Sequence, residues 1–257
     1  MTPRTVWLYE MKWPEIKEHL ATDRRIIIPV GSTEQHGHWL PVGSDTLVAI
    51  TLAEDAARQT GVLVAPPLWF GWSPHHMAMP GTITVRPEVL IEILYDEICS
   101  LAKHSFESFL VLNGHRLVNI PWMQIAAERA QRQLAARVVI FDPAYMSKEI
   151  VDELGCGPAG HAEEIEGSHM MYRYPELVDP SKAQDYAPEQ AHLYRVDPRD
   201  SGDTLCYVPG TREKMRQVGE ISGGCVGSPT RASHELGKTY HEHLVSRLVQ
   251  VLEKLNT

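Results

Sequence analysis

Hydrophobic positions along the chain form short continuous runs that alternate with longer segments of helical spacing. The short runs are bounded by turn residues and predict buried strands at residues 24–31, 62–71, 108–114 and 137–143. The longer segments repeat apolar residues every three or four positions and predict helices at 46–61, 86–105, 120–136 and 233–256. Because strands that alternate with helices form a parallel sheet covered by helices, the pattern predicts an α/β fold.

The segment at about 175–225 has a different character from the rest of the chain. It is rich in Pro, Asp and Gly and shows no sustained period. Its apolar residues argue against a free linker, and they are Leu193, Tyr194, Leu205, Tyr207 and Val208. We therefore expect a single domain over residues 1–257, with an ordered surface excursion at about 175–225 that acts as a lid or a subunit contact.

Composition narrows the possible functions of this domain. The chain is 43% hydrophobic and 22% charged, as in ordinary globular proteins, and its net charge of -9 argues against nucleic acid as a partner. No apolar run approaches the roughly 20 residues that span a bilayer, and the N-terminus lacks the apolar core of a signal peptide. We expect no membrane partner and a cytoplasmic location. The four cysteines form no Cys-x-x-Cys pair, so we expect reduced thiols.

Side chains that can bind metal follow the predicted strands, at the edge where open α/β sheets collect their ligands. Three clusters of such residues and their polar neighbours lie there: Glu34, His36 and Asp45 after the first strand, His75 and His76 after the second, and Asn113 and His115 after the third. A further cluster at 161–169 offers His161, Glu163, Glu164, Glu166 and His169. Other histidines are expected on helix or loop surfaces without a chemical role, and they are His104, His192, His234, His241 and His243.

The first cluster, in the stretch GSTEQHGHWLPVGSD, has the chemistry of a metal site. Imidazole and carboxylate ligands together suit zinc, manganese or iron(II), and a carboxylate such as that of Asp45 can bridge two cations. Glu34 and His36 stand two positions apart, so an extended segment points both to one side. A dinuclear site would activate water and polarise a carbonyl, which indicates hydrolysis. Taken singly, however, such a histidine is more often a hydrogen-bonded structural residue than a ligand.

Four motifs occur in the order GSTEQHGHWLPVGSDT (31–46), NGH (113–115), HAEEIEGS (161–168) and GSPTRAS (227–233). In order and separation they resemble the landmarks of the creatininase family of metal-dependent amidohydrolases, over roughly residues 5–250. The resemblance implies a three-layer α/β/α fold with a mainly parallel central sheet. It also implies two divalent metal ions per subunit, which are zinc, manganese or iron, and frequently a homohexamer.

The resemblance also assigns roles by motif position. The metal ligands would be Glu34, His36, Asp45 and His115, with Asp45 bridging, and His161 matches the family's proton-shuttling histidine. A second cation next to Asp45 and His36 needs one more anionic ligand. We assign this ligand to Glu166, which matches a glutamate that other members place before a small hydroxylic residue. Glu164 is the second choice and a catalytic candidate beside His161, whereas Glu163 is expected to be solvated.

The chain departs from creatininases proper at two places. They carry a Tyr-Glu pair directly after the NGH histidine, and many other members carry Gly-Gly, but this chain has Arg116 and Leu117. The tryptophan expected before the HA motif is missing from ELGCGPAG (153–160). Both departures disfavour a creatinine-specific pocket. We expect Arg116, with His75 and His76, to bind a hydroxyl-rich or anionic substrate, and the alternative for Arg116 is an outward salt bridge.

The sequence therefore predicts a divalent-metal hydrolase that acts on a carbonyl of a small cyclic substrate. In the expected mechanism a metal-bridging hydroxide attacks the carbonyl, and His161 delivers a proton to the leaving atom. Family resemblance makes the C–N bond of a cyclic amide the leading target. The alternative is hydrolytic C–C cleavage of a cyclic polyol diketone of the oxidised-inositol type. A metal-binding protein without catalysis is a further alternative, which loss of activity in His161→Ala with metal retained would exclude.

Overall fold

The computed structural model describes residues 4–157, 159–188 and 210–255 of the chain. Its described part is organised around a four-stranded parallel sheet with the order β2-β1-β3-β4. The strands are β1 (Arg25–Val30), β2 (Leu63–Val64), β3 (Ser108–Asn113) and β4 (Arg137–Phe141). β1 pairs on both sides, with β2 and with β3, and all of its residues are buried. This position explains why the sequence of β1 is continuously apolar after Arg25.

Helices cover both faces of this sheet. In chain order they are α1 (Trp13–His19), α2 (Ser44–Thr60), α3 (Pro87–Lys103), α4 (Ile120–Gln133), α5 (Pro143–Met146), α6 (Lys148–Glu153), α7 (Glu164–Arg173), α8 (Arg212–Ser222) and α9 (His234–Leu255). α3 and α4 begin with a proline in the first turn, where its missing N–H costs nothing. α2 ends at Gly61, whose φ of 76° suits the left-handed C-terminal cap.

Alternate side chains of the strands point into two separate cores. Ile27 and Leu110 pack with α2 and α9 on one face, whereas Ile26 and Phe109 pack with α3 and α4 on the other. Burial of these apolar faces on both sides of the sheet is the main source of stability, at roughly 25 cal/mol per Å². The expected three-layer α/β/α fold with a mainly parallel sheet is confirmed. Among the described residues, no helix has the length and apolar character to cross a bilayer.

The structure differs from the sequence pattern in strand β2 and in helices that the pattern did not predict, among them α1, α6, α7 and α8. β2 ends at Val64 because Pro66 and Pro67 have no N–H for a ladder, and pairing resumes only as a bridge between Val30 and Leu68. In the excursion at about 175–225, α8 forms a regular helix that the sequence analysis missed. The apolar residues named there as evidence for order, Leu193 to Val208, lie outside the described residues.

Candidate metal centre

The carboxyl edge of the sheet brings five potential ligands together from four chain segments. Glu34 and His36 lie in the loop after β1, and Asp45 lies in the first turn of α2. His115 follows β3 directly, and Glu166 lies in the first turn of α7. The side chain of Glu166 is 14% exposed, and the other four are buried. The structure therefore assembles all five residues that the sequence analysis assigned to metal.

Asp45 occupies the centre of this cluster. Its Oδ1 is 3.2 Å from His36 Nε2, and its Oδ2 is 3.0 Å from His115 Nδ1. Glu34 Oε2 lies 3.3 Å from His115 Nε2, and Glu166 Oε2 lies 3.8 Å from His36 Nε2. Among the described residues, potential ligand atoms within 4.8 Å of one another form three groups: Glu34–Asp45–His115, His36–Asp45–Glu166 and Glu34–His36–His161. The first two groups share Asp45, as a bridging carboxylate requires.

Unpartnered buried atoms show that these residues fit divalent cations. Glu34 Oε1 and His36 Nε2 are buried and make no hydrogen bond with any residue that the structure describes. Buried polar atoms in proteins are almost always hydrogen-bonded, so both atoms lack an expected partner. His36 Nδ1–H donates to the Glu34 carbonyl oxygen at 3.0 Å, which leaves Nε2 facing Asp45. A backbone bond of this kind is the usual way to orient a metal-binding imidazole.

The charges of the cluster depend on one another. Burial raises the pKa of Glu34 to about 7. Against the effect of burial, Asp45 raises the pKa of His36 to about 10, and Glu34 and Asp45 raise the pKa of His115 to about 9. The two imidazoles in turn hold the pKa of Asp45 well below its usual range, although burial opposes this. A cation that binds here would replace the imidazole protons, so its binding releases protons.

Two glycines allow the loops of the centre to approach the first turn of α2. A Cβ atom at Gly114 would lie 2.0 Å from the backbone oxygen of Asp45, and one at Gly31 would lie 2.2 Å from Thr46 Oγ1. Real Cβ atoms do not approach so closely, so any other residue would push α2 away. The glycine of the NGH motif therefore serves to place Asp45 beside His115.

His161 faces the centre from the segment before α7. Its backbone pairs with Val226 in an antiparallel bridge, and its Nε2–H donates to the Gln35 carbonyl oxygen at 2.5 Å. Its Nδ1 lies 3.6 Å from Glu34 Oε1. Burial, helped by nearby His36, lowers the pKa of His161 to about 3. The ring is therefore neutral, with the Nδ1 lone pair directed at the candidate metal centre.

His75 and His76 lie beside this centre in a short 3-10 helix. His76 is buried, its Nε2 is 3.4 Å from Glu34 Oε1, and its Nδ1 accepts a hydrogen bond from Gln35 at 2.9 Å. The ring of His75 packs against that of His76 at a tilt of 45°, with a centroid distance of 4.1 Å, and burial lowers the pKa of His75 to about 4. Both rings border the site on the side of His161, whose centroid is 4.2 Å from that of His76. Contact with substrate stays a prediction.

A family model described as "Creatininase: Creatinine amidohydrolase" matches residues 9–252. The chain belongs to the creatininase family. A 3-dehydro-scyllo-inosose hydrolase from Thermotoga maritima is 32% identical over 98% of this chain and 83% of the relative. A creatinine amidohydrolase from Pseudomonas putida is 27% identical over 85% of this chain and 92% of the relative. A solved structure named "Creatininase Mn" superposes with a TM-score of 0.79, at 26% identity over 98% of both chains.

This creatininase-family chain is therefore a hydrolase, metal-dependent by family, and the resemblance inferred from its four motifs is confirmed. The sequence predicted that the chain is not creatininase itself. This prediction agrees with the fact that one of its relatives, from Thermotoga maritima, is a hydrolase of 3-dehydro-scyllo-inosose. The buried ligand groups and the manganese form of a structural neighbour support the use of divalent metal.

Arg116 takes a different position from the one expected. Its side chain is 9% exposed and turns inward, where Nη2 lies 2.7 Å from Glu163 Oε1 and 2.7 Å from Glu166 Oε1. Its Nε–H also donates to Glu166 Oε1, at 3.1 Å. These carboxylates bring the guanidinium against a candidate metal ligand, so the alternative of an outward salt bridge is wrong. The expected contact of Arg116 with substrate stays a prediction. The expectation that Glu163 is solvated is also wrong, because it is fully buried.

Glu164 points away from the candidate metal centre. Its Oε1 accepts a hydrogen bond from the Gly157 N–H at 2.7 Å, and its Oε2 accepts one from the Ser228 N–H at 3.2 Å. The carboxylate is buried and ties the loop before α7 to the GSPTRAS segment. These bonds give Glu164 a structural role, and its catalytic role stays a prediction. Of Glu164 and Glu166, only Glu166 belongs to a group of potential ligand atoms among the described residues, and its choice as metal ligand also stays a prediction.

Sequence analysis missed three polar residues that support the centre. Gln35 bonds to His76 through its side chain and to His161 through its carbonyl oxygen. Ser32 and Ser73 bond to each other at 2.8 Å, and Ser73 Oγ is 3.4 Å from His115 Nε2. The sequence could have indicated the role of Gln35, because this residue stands between the candidate ligands Glu34 and His36 in the first motif. Ser73 has no comparable signal, because only the fold brings it to His115.

Proposed function

We propose that this hydrolase binds two divalent cations and cleaves a C–C bond of a small cyclic polyhydroxylated diketone. The two ligand groups that share Asp45 support the dinuclear centre. The observation that carries the substrate class is the relative from Thermotoga maritima, a 3-dehydro-scyllo-inosose hydrolase that aligns with 98% of this chain at 32% identity.

The ligand roles follow from the two groups. Glu34, Asp45 and His115 would hold one cation, and His36, Asp45 and Glu166 would hold the other, with zinc, manganese or iron as the metal. When bound, two such cations polarise a carbonyl group and lower the pKa of a coordinated water towards neutrality. The chain itself fixes the five ligands in a buried cluster, where electrostatic effects are stronger than in water.

His161 has the geometry of the group that moves the proton. Water adds to one ketone carbon of the diketone, and the bond from that carbon to the carbon between the two ketones breaks. The electron pair of that bond passes to the second ketone as an enolate. We propose that His161 Nδ1 takes one proton from the water and returns it to the enolate carbon. Its Nε2–H bond to the Gln35 carbonyl oxygen keeps Nδ1 directed at the site throughout.

The wall of the site suits a substrate rich in hydroxyl groups. His75 and His76 have pKa values lowered chiefly by burial, so both are neutral, and a neutral imidazole can donate one hydrogen bond and accept another. Each hydroxyl of a cyclic polyol has the same double capacity. His76 Nδ1 already accepts from Gln35, so His76 has its Nε2–H to donate. We therefore propose that these two histidines orient the ring.

Hydrolysis of a cyclic amide is the second candidate. The creatinine amidohydrolase from Pseudomonas putida favours it, at 27% identity over 85% of this chain. The same proton carrier and cations would serve that reaction, with the leaving nitrogen in place of the carbon. Creatininases proper carry a Tyr-Glu pair directly after the NGH histidine, whereas this chain has Arg116 and Leu117 there. This difference disfavours creatinine itself as the substrate. A homohexamer and a cytoplasmic location remain proposals that rest on family resemblance and composition.

One panel of substrates tests the proposal. Protein reconstituted with zinc, manganese or iron(II) is incubated separately with a diketo-inositol, with creatinine and with simple lactams, and products are followed by mass spectrometry and NMR. We expect the diketo-inositol to gain one water and to show a new carboxylate. Asp45→Ala is the control for metal-independent breakdown. Turnover of creatinine or lactams alone would favour the second candidate, and no turnover of any of them would refute both.

A further inference from the structure

A small cavity lies behind the candidate metal centre, between that centre and α9. Its volume is about 20 Å³. Its polar lining includes Asp45, Arg116, Glu166 and His169. A cavity of roughly 10–15 Å³ holds one water if two to four polar partners are available. This cavity meets both conditions.

His169 supplies a second observation that points to a water in this cavity. The residue is buried, and its Nδ1 has no hydrogen-bond partner in the part of the chain that the structure describes. Its other nitrogen, Nε2, lies 2.8 Å from His241 Nδ1. Because a buried imidazole nitrogen normally has a partner, a cavity that His169 itself lines is the natural place for the missing one.

A chain of hydrogen bonds connects His169 to the protein surface. His241 was expected on a helix surface, but it is buried on α9, and its Nε2 lies 2.9 Å from Asp55 Oδ2. Asp55 belongs to α2, its side chain is 27% exposed, and it also accepts a hydrogen bond from Arg173 at 2.7 Å. The hydrogen bond from His241, followed by the charge of Arg173, lowers the pKa of Asp55, so its carboxylate is ionised at neutral pH.

This carboxylate constrains the proton of the ring beside it. An ionised Asp55 only accepts, so His241 carries a proton on Nε2. One proton lies between His241 Nδ1 and His169 Nε2, which are 2.8 Å apart. With that proton on His169 Nε2, the unpartnered Nδ1 of His169 is an acceptor on a residue that lines the cavity. A water there can donate one proton to His169 Nδ1 and the other to a carboxylate of Asp45 or Glu166. The Arg116 guanidinium, which also lines the cavity, can donate to the same water.

We propose that the cavity binds one ordered water, and that Asp55, His241 and His169 are positioning residues that orient this water against the ligands of the Glu166-side cation. The three residues touch neither substrate nor cation, and their effect passes through the water. Outer partners of metal ligands typically change metal affinity by 10- to 100-fold. Since this chain acts through a water, we expect an effect near the lower end of that range.

Two measurements on the wild-type protein test the water and the proton positions directly. In ¹⁵N NMR of the cation-loaded protein, we expect His169 and His241 to carry their protons on Nε2. A high-resolution crystal structure should show one water in contact with His169 Nδ1 and with Asp45 or Glu166. A proton on Nδ1 of His169, or an empty cavity, would overturn the proposal. Neither measurement requires a substrate, so each is independent of the proposed reaction.

A matched pair of variants tests the effect on metal. Asp55→Asn keeps the shape of the side chain but can donate a hydrogen bond from its amide. It therefore no longer constrains the proton of His241 to Nε2, and through it that of His169. In a calorimetric titration with Mn²⁺, we expect one of the two sites, the one that Glu166 serves, to lose about tenfold in affinity while the other site is unchanged. Glu54→Gln removes one charge from the neighbouring position, where Glu54 pairs with Arg58 on the surface, and should leave both affinities unchanged. If Asp55→Asn binds Mn²⁺ with wild-type affinity, the positioning role is refuted. If that variant does not fold, the ¹⁵N NMR of the wild-type protein tests the proposal instead.

Discussion

Replacement of Arg116 by methionine tests how the second candidate cation site is held. Methionine keeps an unbranched side chain and removes the guanidinium that contacts Glu163 and Glu166 at 2.7 Å each. Both carboxylates then lose their cationic partner in a site where Arg116 itself is 9% exposed. Loss of one partner of a buried ion pair typically costs about 3–5 kcal/mol. In a chain of this size each kcal/mol lowers Tm by roughly 2–4 °C, so we expect a Tm lower by roughly 6–20 °C.

The same change should weaken one cation and spare the other. Glu166 Oε1 loses two contacts to Arg116, while Glu166 Oε2 keeps its hydrogen bond from the Ala162 N–H at 2.7 Å. We expect the affinity for the Glu166-side cation to fall by about 10- to 100-fold, which is about 1.4–2.8 kcal/mol. Calorimetric titration of metal-free protein with Mn²⁺ or Zn²⁺ measures both sites.

Two further variants separate this effect from general damage. Arg129→Met breaks the exposed pair of Arg129 with Glu92 and should change neither Tm nor metal binding appreciably. Glu163→Gln in the Arg116→Met background removes one uncompensated buried charge and should recover part of the lost Tm. If Arg116→Met binds two cations with wild-type affinity and melts at the wild-type temperature, Arg116 does not hold Glu166.

Three other changes test the remaining assignments. Asp45→Ala should remove more metal than any other single ligand change, because a bridging carboxylate serves both cations, and two full equivalents by elemental analysis would contradict the bridge. Glu166→Gln should lower the occupancy of one cation only, and loss of both or of neither by the same analysis would contradict its place in the second group. His161→Gln should keep its metal and lose turnover by about a hundredfold to ten-thousandfold, and unchanged turnover would exclude His161 as proton carrier.

Glu34, His36 and His115 could be predicted from sequence because they follow strands β1 and β3, and Asp45 and Glu166 because they lie in motifs of fixed spacing. The directions of the side chains in the HAEEIEGS motif could not be predicted, because the sequence analysis did not recognise that a helix begins within this motif. α7 begins at Glu164, and the Glu163 carboxylate caps it by accepting from the Glu166 N–H. Residues two apart on a helix point about 200° away from each other, so Glu164 and Glu166 must face opposite sides. A helix start placed at Glu164 would have shown this from sequence alone.

The inward position of Arg116 and the buried state of His241 lay beyond sequence reasoning. Each depends on a partner that is remote in the chain, Glu166 for Arg116 and Asp55 for His241. Residue type and periodicity do not report such partners. An arginine after a strand and a histidine on a long amphipathic helix are both ordinary surface residues by pattern.

Assembly of the centre from four separated chain segments has a consequence for folding kinetics. β1 pairs with β3 only after the chain between them, which includes α2 and α3, has closed a long loop. Such long-range pairing is slow, and Glu34, Asp45, His115 and Glu166 meet only once it is complete. Cations that bind this late arrangement stabilise the native state without helping the early steps. Metal should therefore slow unfolding much more than it accelerates refolding, so that the metal-loaded protein gains mainly kinetic stability.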